Sequence, residues 1–92
     1  MKQQLFLATF QKTPDGRIFT QRMTEKNIVD AAEEVLMHTG ETYEHAAGIS
    51  WCDLGNGQHV PERVLTEEEY FPLAIGILKK AYAIFTVSKI SE

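Results

Sequence analysis

The chain has 92 residues, 43% of them hydrophobic and 24% charged, with nine Lys and Arg against thirteen Asp and Glu and a formal net charge of -4. That is the composition of one small globular domain, not of a disordered chain. A single Cys excludes an internal disulfide framework. No uncharged apolar run nears the ~20 residues a spanning helix needs; the longest, Tyr70–Leu78, contains Pro72. No basic-then-apolar leader opens the sequence, so the reducing cytoplasm is the expected setting. There is no internal repeat and no linker, and residues 1–92 read as one domain.

Gln4–Gln11 reads as a strand. Phe6, Ala8 and Phe10 share one face, Leu5, Leu7 and Thr9 the other. Both faces are fairly apolar, which suits a central position. Thr13-Pro14-Asp15-Gly16 is a turn in which Pro14 presets φ and Gly16 is free to take a positive one. Arg17–Met23 returns as the second strand of a hairpin. Thr24 is a good N-cap for a helix running to about Thr39. Ile28, Ala31, Ala32, Val35 and Leu36 form its apolar stripe, Asp30, Glu33 and Glu34 lie away from it, and Gly40 supplies the left-handed stop.

Glu41–Ala47 is polar and reads as irregular. Gly48–Leu54 and Gln58–Val64 read as a further hairpin around Gly55-Asn56-Gly57, with Pro61 confining the second strand to an edge. Thr66-Glu67-Glu68-Glu69 has the form of a capping box and starts a second helix, in which Pro72 is a point of kink or restart. Ile84–Ile90 is β-branched enough for a final strand after helix to about Tyr82. The order β-β-α-β-β-α, with that last strand in addition, implies an α+β two-layer sandwich: an antiparallel sheet of about four strands with two helices on one face.

Charge is distributed unevenly. Residues 1–24 hold four cations against one carboxylate, residues 25–69 two against eleven, and residues 70–92 three against one. An acidic block follows a basic hairpin. Asp30, Glu33, Glu34, Glu41 and Glu44 are the candidate binding face for a cationic partner, since such fields steer encounter and set specificity. The plain alternative is a solvated helix face, and for Glu25 and Glu67–Glu69 a favourable first-turn charge. Lys12, Arg17 and Arg22 are candidates for contact with acidic protein or with nucleic acid held in a complex. They are too few for tight binding to bare duplex, which requires several phosphates to be neutralised.

Chemistry-bearing residues are sparse. Cys52 and His59 fall on adjacent expected strands, so a small thiol enzyme is one alternative. Cys52 alternates with Trp51, however, as a small buried residue does, and reads as a core or surface-neutral thiol. The three histidines lack zinc spacing, and the glycines around Asn56 form a turn rather than a phosphate cradle. No enzyme, metal or cofactor is expected. Trp51 reads first as an anchor between helix and sheet and second as a hot spot on an open face.

The basic hairpin Gln4–Met23, the acid-faced helix Thr24–Thr39, the Gly55-Asn56-Gly57 hairpin and the lack of a catalytic constellation together resemble the anti-CRISPR proteins. These are small acidic α+β inhibitors of host defence encoded by phages and mobile elements. The resemblance implies stoichiometric binding to an RNA-guided surveillance complex and obstruction of target DNA recognition. Such proteins share no sequence motif, so it assigns no site residue. The remaining alternative is a self-associating structural or adaptor module, whose open sheet face or edge pairs with its own copy; a monomer or weak dimer away from any membrane is expected.

Overall fold

A computed structural model describes residues 4–90. In chain order the elements are β1 (Leu5–Gln11), β2 (Ile18–Thr24), α1 (Glu25–Thr39), α2 (Tyr43–Ala46), β3 (Trp51–Asp53), β4 (His59–Pro61), α3 (Glu67–Ala81) and β5 (Ile84–Lys89). The protein is α+β. β1 is central, as its two-sided apolar pattern requires: β2 and β5 pair antiparallel on either side of it.

Register explains why β5 joins this sheet. Phe85 lies beside Phe10 and Val87 beside Ala8, so the inward row of β1 is extended on both flanks. α1 and α3 pack against each other over that row, α1 toward β2 and α3 toward β5. Phe6, Ala8, Met23 and Phe85 from the sheet meet Ile28, Ala32, Leu36, Ala74 and Leu78 from the helices in one core. Phe6 and Phe71 hold their rings 5.0 Å apart across the layers.

The expected four-stranded sheet does not form. β3 and β4 make a separate two-stranded sheet, three residues per strand instead of seven. Nearly every side chain from Cys52 to Val60 is exposed, so neither face of this hairpin offers an apolar row to bury. A two-stranded ribbon of this kind projects from the body rather than adding to its core. The count of two helices is also corrected. Within the supposedly irregular Glu41–Ala47, Tyr43–Ala46 is a short helix whose N-cap, Thr42, accepts the His45 N–H through Oγ1 at 3.2 Å.

The caps hold as expected; the kink or restart at Pro72 and the conformation of Gly16 are revised. At the start of α1 the Asn27 N–H donates to Thr24 Oγ1 and the Thr24 N–H donates to Asn27 Oδ1, both at 3.1 Å, and Gly40 ends the helix at φ 74°. α3 begins after Thr66 and runs through Pro72 without interruption. Pro72 is exposed, where water can serve the carbonyl that loses its donor. Gly16, in contrast, is not among the positive-φ glycines. It is required for space: a Cβ there would lie 2.7 Å from Thr13 Oγ1. The turn is closed by Gly16 N–H donating to Thr13 O at 2.9 Å, and the buried Gln11 amide donates to the carbonyls of Pro14 and Gly16 beneath it.

The outcome is a slab with Cα extents of 49 × 38 × 15 Å. Helices cover one side of the three-stranded sheet, and the other side is open.

Candidate functional site: an acidic helix face

α1 buries Ile28, Ala32 and Leu36, which lie four residues apart on one stripe. The stripe Asp30, Glu33, Glu34, Met37 is then turned to solvent by helical geometry alone. Asn27, Asp30, Glu33, Glu34 and Met37 line one shallow depression along the outer side of the helix. Glu33 also borders a second depression, shared with Met37, Glu41, Glu44, Tyr43 and Tyr70. The five expected acidic residues are therefore brought together on adjoining surface, with Glu33 as the hinge between the two groups.

Among the described residues, the ion pair that forms is Arg63–Glu69, away from α1, and none of the five carboxylates pairs with a described Lys or Arg. Like charges three and four residues apart on a helix are mildly destabilising, by ~0.2–0.5 kcal/mol per pair. The fold accepts that cost on α1 because the buried stripe on the opposite side of the helix holds it in place.

Tyr43 lies beneath this surface. It is 7% exposed, its hydroxyl donates to Val29 O at 2.7 Å, and its ring meets Tyr70 edge-on at 5.0 Å. Burial first, then the Glu33 and Asp30 carboxylates, push its phenol up from 10.0 to about 12. Tyr43 is thus a buried group that feels the negative field of α1.

Glu69 behaves differently from its acidic neighbours in sequence. Its carboxylate accepts both terminal nitrogens of Arg63, at 2.8 and 2.9 Å, and the Thr66 N–H at 3.1 Å. The Arg63 bonds first, then the Thr66 amide, lower it from 4.5 to about 2. Glu69 fastens the start of α3 and is no part of the α1 patch.

The basic hairpin does not form one cluster. Lys12 and Arg17 are exposed at the β1–β2 turn, whereas Arg22 stands beside Leu7 on the open sheet face. Five residues of extended chain separate Arg17 from Arg22 by ~17 Å. Lys2 and Glu92, which enter the charge tally of the chain ends, lie outside the described residues.

The expectations at the β3–β4 hairpin are corrected. Cys52 is exposed, the surface position of its two expected places rather than the core one. Cys52 stands opposite Val60 and Asp53 opposite His59, so thiol and imidazole occupy opposite faces of the ribbon. Trp51 anchors no helix to the main sheet. It is half-buried against the His45 ring at 5.2 Å, with its indole N–H enclosed and unbonded. No group of three His, Cys, Asp or Glu among the described residues is gathered as a metal site. No described helix is long and apolar enough to cross a membrane.

Two features were missed in the sequence. Met37, 74% exposed, sits within the acidic stripe; its spacing from Glu33 and Glu34 was the available signal. A groove of about 490 Å³ runs between α1 and α3, walled by Val35, Leu36, Leu73 and Ile77 and bordered by Glu41 and Lys80. Pro72 and Gly76, four residues apart, mark its α3 wall.

No protein-family model, curated protein or solved structure matches the chain.

Proposed function

We propose that this chain is a stoichiometric binding protein whose acidic α1 face docks onto a basic surface of a nucleic-acid-handling host complex, in the manner of an anti-CRISPR protein that blocks target DNA recognition. Asp30, Glu33, Glu34, Glu41 and Glu44 occupy a groove meant for phosphates, and Met37 adds an apolar contact at the centre. Lys12, Arg17 and Arg22 serve separate, peripheral contacts to acidic protein or to exposed guide backbone. The mechanism is steric and electrostatic, with no bond made or broken.

The observation that supports this reading is the gathering of five carboxylates on adjoining surface, none of them held in a salt bridge by a described residue. Such fields raise association rates and exclude wrong partners more than they add affinity. The test is to titrate the protein into purified RNA-guided surveillance complexes and follow target DNA binding by gel shift. The reading expects inhibition to saturate at a fixed ratio of protein to complex, and the double variant Glu33→Lys, Glu34→Lys to lose it. Undiminished target binding across the complexes, or inhibition unaffected by the charge reversal, refutes the reading.

A further inference from the structure

The chain exposes 6822 Å², whereas a compact monomer of its 10.4 kDa exposes ~5,400 Å². Its radius of gyration is 15.4 Å, against ~12 Å for a compact domain of this length. The excess of ~1,400 Å² per chain is larger than the ~800 Å² that a standard interface removes from each partner. Among the described residues, two parts of the molecule are left uncovered, the exposed β3–β4 hairpin and the open face of the β2-β1-β5 sheet.

That face is not composed like a solvated one. The register sets Ile18 and Ile84 either side of Gln11, Thr20 and Thr86 either side of Thr9, and Arg22 and Ser88 either side of Leu7. Ile18 is 56% exposed, and Leu7 and Ile84 are each 40% exposed. Three apolar side chains, one from each strand, thus frame a row of threonines, with Arg22 as the one formal charge among the described residues of the face, at the margin on β2. An outward sheet face ordinarily alternates charged and polar groups, and depletion of charge at the centre of a patch marks an interface core.

We propose that this open face is the interface of a homodimer, two copies packing sheet to sheet with their helices outward. The occupant is a second copy for three reasons. The face is self-complementary under a two-fold axis parallel to β1 through Thr9, which sets Thr20 against Thr86, Ile18 against Ile84 and Leu7 against its own copy. It buries no charge at its centre. The outer side of α1, in contrast, carries like charges that repel a second copy. Pairing through the β2 edge would leave Leu7 and Ile84 in water. Stacked ~10 Å apart, two slabs form a body in which both acidic helices remain accessible, so the dimer is compatible with the proposed docking and independent of it.

Sedimentation equilibrium from ~10 μM to ~1 mM tests this. The wild type is expected to pass from 10.4 kDa to twice that mass. Leu7→Lys and Ile84→Lys are each expected to raise the dissociation constant at least ~10-fold, with far-UV circular dichroism unchanged. Ile84 is on an edge strand, where Lys is well tolerated, so it decides alone where Leu7→Lys fails to fold. A wild type that stays at 10.4 kDa throughout, or an Ile84→Lys variant that dimerises like the wild type, overturns the proposal; the latter result moves the interface to the β2 edge or the helices.

Discussion

Replacing Tyr43 by Phe separates the field of the acidic face from the packing beneath it. The substitution deletes the hydroxyl that donates to Val29 O at 2.7 Å and keeps the ring against Tyr70. At neutral pH the cost is that of one buried hydrogen bond, ~1 kcal/mol. At high pH the sign reverses. A phenol raised from 10.0 to about 12 contributes its stability in full below the unfolded value and loses it as pH rises through the folded value. Two units correspond to ~3 kcal/mol lost by the wild type across that window. The variant carries no such penalty, so it begins ~1 kcal/mol less stable and ends ~2 kcal/mol more stable. The two curves cross between about pH 10 and 11. Urea unfolding of both proteins at intervals from pH 8 to about pH 12 reads this directly. Glu33→Gln in the wild-type background should pull the phenol part of the way back toward its usual value, since burial, the larger cause, remains and one neighbouring charge is gone. A stability difference that stays constant across the range would show that the phenol titrates as in water, and the acidic face would then exert no field on it.

Two further outcomes follow from the same structure. Glu69 is depressed from 4.5 to about 2 by Arg63 and Thr66, so its contribution is present above the unfolded value and lost as pH falls through the folded one. The stability gap between wild type and Glu69→Gln should therefore narrow from pH 4.5 to about 2 and vanish below, as read by urea unfolding; a gap independent of acid would refute the pairing. Gly76 sits inside α3 with nothing within 4 Å of a Cβ built on it, so Gly76→Ala should stabilise the domain by ~0.5–1 kcal/mol, measured as a rise in the urea midpoint at constant m.

Local chemistry proved the most legible part of the fold. The Thr24 cap and the Gly40 stop are decided by residues a few positions apart, and both appear as expected. The β1–β2 hairpin and the last strand are likewise set by short-range alternation. The assembly of strands into sheets was not legible, because Gly55-Asn56-Gly57 shows that two segments pair with each other and is silent on whether the pair joins a third. What decided that was burial: β5 carries Phe85 and Val87 toward the helices, whereas β3 and β4 carry Cys52 and Val60 into water. Gly16 was misjudged because glycine serves both positive φ and close approach, and only coordinates tell these apart.

The same division holds for the acidic face. Asp30, Glu33 and Glu34 share a side of α1 by spacing, which the sequence displays. Glu41 and Glu44 join them only because α2, too short to show periodicity, folds the chain back beside Tyr43 and Tyr70. Arg22 departs from Lys12 and Arg17 because strand alternation and register, not proximity in sequence, choose its face.

The most direct test of the acidic docking face is its association rate with a complex that it inhibits, measured by stopped flow from ~0.05 to ~0.5 M salt. Docking through α1 predicts a rate that falls steeply with salt for the wild type, and a slow, nearly salt-independent rate for Glu33→Lys, Glu34→Lys, with the fold of the variant intact by circular dichroism. Equal rates and equal salt dependence for the two proteins would contradict it.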